Sequence, residues 1–280
     1  MKFLSLNDDY SSADSIFHVI PISYESNVTF GEGASKGPAA IIEASQHMEY
    51  YDEEFCVEPF EDGIHTHSLI AESDFDVMQD SVVESCTDLT PQSFPCFLGG
   101  DHATTIASVC AMDKIYEDFG VLIFDAHSDF RDSWNGSQNN HACVAKRLIA
   151  KHQVGVVGVR SMDVDEDNLV KTHENMSILK MCDFDFVAFQ NFLATLPSTL
   201  YISVDVDCFD PSFISFTGTP EPGGFYWREL IPLLKEAFAT KTIIGCDVVE
   251  FAPNGELSKG QAYSLARLVY KLFSMKKANM

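Results

Sequence analysis

The feature that most restricts this chain is a set of short apolar runs, at residues 16–22, 94–98, 120–124, 154–159, 199–204 and 242–246, that are continuous rather than alternating. A strand with one wet face alternates apolar and polar residues. A strand covered on both faces reads as an unbroken apolar run, as in a parallel sheet flanked by helices. Between the runs lie helical patterns. From Gly260 onward, Ala262, Leu265, Ala266, Val269, Leu272 and Phe273 fall at three- and four-residue steps, and Gly37-Pro38 opens a segment with Ile41, Ala44 and Met48 similarly spaced. Pro232 lies inside the helical pattern of residues 227–239, which predicts a late start or a kink there. Strand and helix alternate throughout, which predicts an α/β fold. No Ser/Gly-rich or Pro-rich tract divides the chain, so one domain over residues 1–280 is expected.

With 280 residues, 46% of them hydrophobic, the chain can bury a large core. Eighteen Lys plus Arg against 42 Asp plus Glu give a net charge of −24. Such a surface repels phosphate backbones and anionic lipid, so no nucleic-acid or membrane partner is expected, and the same field attracts cationic ligands. The first residues lack the apolar core of a signal peptide and no 18-residue uncharged apolar run follows, so a soluble, cytoplasmic protein is expected. The eight cysteines form no C-x-x-C pair, which predicts free, mostly buried thiols.

The apolar runs stop at clusters of acids and histidines: Gly99-Gly100-Asp101-His102, Asp125-Ala126-His127-Ser128-Asp129, Asp205-Val206-Asp207 and Asp247-Val248-Val249-Glu250. In an open parallel sheet the carboxyl ends of the strands share one edge, and ligands bind there. In extended chain, residues two apart point the same way at roughly 6.6 Å separation, so Asp125, His127 and Asp129 face one side, as do Asp205 and Asp207. One ion cannot readily reach them all. Two ions roughly 3.5–4 Å apart can, with Asp125 and Asp205 placed to bridge, an arrangement suited to hydrolysis by polarised water. Four Asp and two His with no Cys form an oxygen-rich set with some imidazole, which favours two Mn²⁺ over thiolate-loving metals or a structural zinc. Asp101 and Asp247 adjoin these residues and are expected to orient ligands or loops. His65-Thr66-His67 is expected in a surface turn, and residues 163–167, lacking the glycine of a calcium loop, before or capping a helix.

These residues, in this order, resemble the ureohydrolases (arginase, agmatinase, guanidinobutyrase), manganese enzymes that hydrolyse guanidinium groups to urea. The resemblance spans nearly the whole chain. Residues 31–52, with Ser35-Lys36-Gly37-Pro38-Ala39-Ala40-Ile41 and Ala44-Ser45, are similar to the agmatinase branch, as are Gly158-Val159-Arg160-Ser161 and Thr217-Gly218-Thr219-Pro220-Glu221-Pro222-Gly223-Gly224. It implies a three-layer α/β/α sandwich on a mostly parallel eight-stranded sheet, assembled as a homotrimer or homohexamer. It also implies that His102, Asp125, Asp129 and Asp205 hold one manganese and that Asp125, His127, Asp205 and Asp207 hold the other.

By the same resemblance, His141 takes the place of a proton-shuttling histidine and Glu250 that of the carboxylate that binds the guanidinium. His141 lies just before an apparent helix through Leu148, whose amino end disfavours a charged imidazole while nearby carboxylates favour it. A pKa near working pH is therefore expected. Residues 131–140 are expected to overhang the site, with Asp132 and Trp134 the candidates to meet a distal ammonium. Asn135, Ser137 and Asn139 could equally bind an α-carboxylate. Ala103-Thr104 and Ser128 depart from the usual family text, with an expected effect on site shape. The implied reaction is agmatine to putrescine and urea, within polyamine synthesis. The rivals are another guanidino or formimino hydrolase of the family, a catalytically silent binding or regulatory subunit and, more distantly, a deacetylase of related fold.

Overall fold

The computed structural model describes residues 1–280. Eight strands form one sheet: β1 (Phe17–Pro21), β2 (Ile64–Thr66), β3 (Phe94–Leu98), β4 (Gly120–Phe124), β5 (Val154–Val159), β6 (Met176–Lys180), β7 (Thr199–Asp205) and β8 (Thr242–Val249). Their order is β2-β1-β3-β8-β7-β4-β5-β6 and every pairing is parallel, so the sheet is wholly rather than mostly parallel. Parallel pairing follows from the buried runs: β3, β4 and β5 are covered at every residue.

The helices are α1 (Gly37–Ser45), α2 (Phe75–Ser85), α3 (Thr104–Met112), α4 (Val144–Leu148), α5 (Val164–Val170), α6 (Phe186–Thr195), α7 (Trp227–Thr240) and α8 (Lys259–Ala278). Alternate residues of each strand feed two separate cores. Leu122 and Phe124 of β4 join Leu200, Ile202 and Val204 of β7 in one core, which α1, α6, α7 and α8 cover. Val121, Ile123 and Tyr201 point into the other, which α2, α3 and α4 cover. Three layers result.

The runs at 94–98, 120–124 and 154–159 coincide with β3, β4 and β5, and the last two extend to Asp205 in β7 and Val249 in β8. Two strands have no counterpart among the apolar runs. β2 is three residues long and β6 is only partly buried, at Met176 and Leu179, and both close the edges of the sheet, where only one neighbour covers them. His65 and Thr66 therefore lie in β2, beside His18 and Val19, rather than in the surface turn expected. Helix α7 starts at Trp227 and runs through Pro232, which sits on its exposed side, so the expected late start is not found. The Glu229 side chain reaches back to accept the Tyr226 amide at 2.8 Å and so braces the first turn of α7. The expected helix start near residue 163 is present, with Asp163 the N-cap of α5 and Glu166 its reciprocal partner. All eight cysteines are free, and Cys86, Cys96, Cys143, Cys208 and Cys246 are buried.

One ion pair lies deep in the layer that α8 forms. Lys271 (3% exposed) donates to Asp52 (0% exposed) at 2.8 Å and lies 3.3 Å from Glu54. Burial alone would raise the pKa of Asp52, yet the bond from Lys271 and further donors hold it below the usual carboxylate value. Replacing Lys271 by Met leaves that carboxylate buried without its cation and is expected to cost about 3 kcal/mol of unfolding free energy in chemical denaturation. The double change with Asp52→Asn should recover part of the loss. A single variant as stable as the parent would contradict this account.

Candidate active site

The strands that carry the acid and histidine clusters are β3, β8, β7 and β4, four adjacent neighbours at the centre of the sheet. Their carboxyl ends therefore converge. After β3 the chain turns at Gly99-Gly100, where a Cβ on Gly100 would lie 1.8 Å from the Tyr24 carbonyl oxygen. That close approach lets Asp101 accept hydrogen bonds from the amides of Ser26 (2.7 Å) and Ala103 (3.0 Å), tying the segment after β1 to the start of α3. The Thr104 hydroxyl donates to the Asp101 carbonyl at 2.8 Å, and Ser128 donates to Glu166 of α5 at 2.7 Å, so both departures from the family text serve local bracing.

His102 is the centre of the first cluster. Ser203 donates to Asp247 at 2.6 Å, as does Tyr201 at 2.9 Å, which leaves the Ser203 oxygen free to accept from His102 Nε2 at 3.1 Å. With its proton on Nε2, His102 turns the Nδ1 lone pair towards Asp125 (3.1 Å), Asp129 (3.0 Å) and Asp205 (3.1 Å). All of these groups are acceptors, and Nδ1 is a buried atom without a hydrogen-bond donor. Asp247 thus orients His102 through Ser203. Although burial disfavours a charged imidazole, the carboxylates push the His102 pKa well above its ordinary value, so proton and metal compete for one lone pair.

The second cluster surrounds His127, whose Nδ1 lies 3.0 Å from Asp207 and 3.5 Å from Asp125. Asp125 turns Oδ2 to His102 and Oδ1 to His127, so it spans both clusters. Asp205 approaches His102 alone, and its other oxygen accepts the Asp207 amide at 2.8 Å. Backbone amides clamp the remaining carboxylates: His127 N–H to Asp125 at 2.6 Å and Ala126 N–H to Asp207 at 3.1 Å. A buried, orphaned imidazole nitrogen among converging carboxylates, with no Lys or Arg bonded to any of them, is the chemistry of a divalent-cation site, and these residues fit a pair of such ions.

Glu250 follows β8 in the left-handed region (φ +67°), a strain on the order of 1 kcal/mol of the kind that concentrates at functional sites. Its amide donates to the Gly100 carbonyl (2.7 Å) and its Oε1 accepts the His102 amide (2.7 Å), which sets it beside the first cluster. Burial, then the charge of Asp101, push its pKa well above the usual carboxylate value. His141 follows Asn140, whose side chain caps the turn by accepting the Ala142 amide. Thr29 accepts the Trp134 indole N–H at 3.0 Å and hydrogen-bonds His141 Nε2 at 2.8 Å. The expected pKa near neutrality is corrected: burial first, then the neighbouring imidazoles, push it down to about 4, so His141 is a neutral base at working pH.

His141, Glu250, Trp134 and five of the six expected ligands, His102, His127, Asp129, Asp205 and Asp207, line one cavity of ≈ 300 Å³; the sixth, Asp125, is buried beneath it. Asp132 does not line it; its carboxylate turns outward to Arg147 at 3.1 Å. Trp134 does, but the Arg131 guanidinium already covers its ring at 4.5 Å. The sequence assigns no role to Thr29 or Ser203, and Glu221 enters there only as part of the segment 217–224. Ser203 is accessible from spacing, being two residues before Asp205 on the same side of β7. The contact between Thr29 and His141, 112 residues apart, left no local signal.

The sequence pattern described as "Arginase family" matches residues 15–274. The chain is 34% identical to the N(1)-aminopropylagmatine ureohydrolase of Synechocystis sp. over 97% of this chain and 92% of that protein. It is 31% identical to the agmatinase of Pyrococcus horikoshii, over 95% and 93%. The agmatine ureohydrolase of Thermoplasma volcanium superposes with a TM-score of 0.85, covering 99% of this chain and 95% of that one at 23% identity, a likeness of fold. Likeness of that extent leaves one conclusion: the chain belongs to the Arginase family and is a ureohydrolase, a hydrolase of amidino bonds.

Proposed function

We propose that the chain hydrolyses the guanidinium group of an amine-tailed alkylguanidine, agmatine first, releasing urea and putrescine with two Mn²⁺ held by His102, Asp125, Asp129, Asp205, His127 and Asp207. The observation that supports this most is the orphaned His102 Nδ1 facing three carboxylates beside Glu250. A second reading, N(1)-aminopropylagmatine as substrate, is favoured by the 34% identity to the Synechocystis enzyme of that name. An α-carboxylate, as in arginine, is disfavoured: Arg131, the one cation on the cavity wall, is already paired with Asp163 (2.9 Å) and Glu166 (3.4 Å). The reading carries with it a homotrimer or homohexamer, as the family resemblance implies, and the cytoplasmic location expected from the sequence. No helix is long and apolar enough to cross a membrane.

When bound, the two dications lower the pKa of water towards neutrality and so supply the nucleophile. The chain's own residues do the rest. Glu250 accepts N–H donors from the guanidinium in its plane, which neutralises the buried carboxylate and aims the central carbon at the aspartates. Gly218 keeps that approach open, since a Cβ there would sit 3.2 Å from Glu250 Oε2. His141, neutral and held at Nε2 by Thr29, takes a proton and returns it to the departing nitrogen. One water is consumed, one C–N bond breaks, and the substrate's positive charge leaves on the alkylammonium.

With Mn²⁺ present, urea release from agmatine or its aminopropyl derivative is expected, with little or none from arginine. His141→Gln should lower kcat by roughly 10²- to 10⁴-fold with bound metal unchanged. Activity on arginine alone, or an unimpaired variant, would contradict the reading.

Metal removal gives a pH signature. Burial and the neighbouring Asp125 push Asp129 up to about 7, and burial followed by like charge pushes Asp205 well above the carboxylate range. Asp207 and Asp125 outweigh burial at His127 and push it up to about 12. Above pH 6.5 the folded metal-free chain therefore holds more protons than the unfolded chain, and stability falls as pH rises. His18, His67 and His141, pushed down to about 4 mainly by burial, act oppositely, but between pH 4 and 6.5 only. In chelator, the melting midpoint is expected to fall between pH 6.5 and 9, and Mn²⁺ should largely abolish that fall. A midpoint in chelator that holds or rises over that range would contradict it.

A further inference from the structure

We infer that Glu221 reads the cationic tail of the substrate and sets the preference for an amine over a neutral or acidic tail. The inference rests on the proposed ureohydrolase reading of the cavity and deepens it. Glu221 lines the same cavity wall as His127, Asp207 and Glu250. The residue is half-buried and its carboxylate makes no hydrogen bond or ion pair, whereas the other acids lining the cavity, Asp129, Asp205, Asp207 and Glu250, are all engaged. Asp163 and Glu166 hold Arg131, and Asp132 holds Arg147. The indole of Trp134, the other group suited to a cation, has Arg131 stacked on it.

The position is also rigid. Pro220 and Pro222 flank Glu221 and restrict its backbone. The Arg160 guanidinium binds the carbonyls of Glu221 (2.8 Å) and Pro222 (3.1 Å), and the same group binds the carbonyl of Asp207 at 2.7 Å. Arg160 thus ties the backbone of Glu221 to that of an expected metal ligand. Gly223 at φ +82° turns the chain, and Gly224 lets it close over Arg160, where a Cβ would meet Nη2 at 2.5 Å. Gly218, against the Glu250 carboxylate, is three residues away, a chain span of at most roughly 10 Å. An alkylguanidine held by Glu250 can therefore extend its tail along this segment to an unpaired carboxylate carried on a fixed backbone. Holding that backbone beforehand spares part of the ordering cost of binding, and a charged hydrogen bond discriminates more sharply than a methylene contact.

The test compares agmatine, butylguanidine with a neutral tail and 4-guanidinobutyrate with an acidic tail, on the Mn²⁺-loaded chain. Glu221→Gln should raise KM for agmatine by about tenfold or more, the scale of a lost charged hydrogen bond, with kcat little changed. KM for butylguanidine should stay the same, and that for guanidinobutyrate should fall. Glu221→Asp, which keeps the charge, should retain much of the preference, and Glu221→Ser repeats the readout should the amide variant be unstable. Melting temperature and metal content serve as controls for folding. Unchanged discrimination in the Gln and Ser variants, with the parent enzyme active, overturns the role of Glu221 alone. A parent enzyme inactive on every guanidine overturns the ureohydrolase reading together with it.

Discussion

Four carboxylates and two imidazoles meet at the carboxyl edge of a buried sheet, with no Lys or Arg paired to those carboxylates, and the rest of the structure is organised around that concentration of acceptors. Like charges held a few ångströms apart in a low-dielectric setting repel strongly unless protons or cations intervene. The His102 lone pair, pointed at Asp125, Asp129 and Asp205, shows where the compensating charge belongs. Such a cluster is unfavourable for stability by itself. It persists because the sheet beneath it is covered on both faces by two large apolar cores.

The acids are held by donors that belong to the fold. Backbone amides of Ala126, His127 and Asp207 fix three carboxylates, while the Asp247–Ser203 relay fixes the imidazole tautomer. Orientation fixed in this way costs nothing at the moment of reaction, which is where a preorganised site gains its effect. Glu250 belongs to the same lattice of bonds through the His102 amide and the Gly100 carbonyl, so the group suited to the guanidinium is tied directly to the groups suited to metal.

Much of this was legible in the residues, and the exceptions have physical causes. Continuous apolar runs marked the central strands because both faces there are buried. β2 and β6 escaped because edge strands need only half-apolar, short segments. Period-two spacing at strand ends announced Asp125-His127-Asp129 and Asp205-Asp207, and the order of these groups carried the family resemblance. The electrostatics of His141 are not local: a helix end and nearby acids predict a pKa near neutrality, but desolvation, which depends on what packs around the ring, dominates and lowers it. Asp132 likewise looked available until Arg147, from a different turn of chain, claimed it. Contacts such as Thr29 with His141 lie outside any local pattern, because only the fold brings residues from β1's exit loop to the mouth of the cleft.

The most direct test of the central claim is calorimetric titration of the chelator-stripped chain with Mn²⁺, with elemental analysis of the reloaded protein. The account predicts two ions per chain in the parent. It predicts at most one weakly held ion in Asp125→Ala, because that carboxylate alone faces both imidazoles. A parent that binds no stoichiometric divalent metal, or an Asp125→Ala variant that still binds two with unchanged affinity, would contradict it.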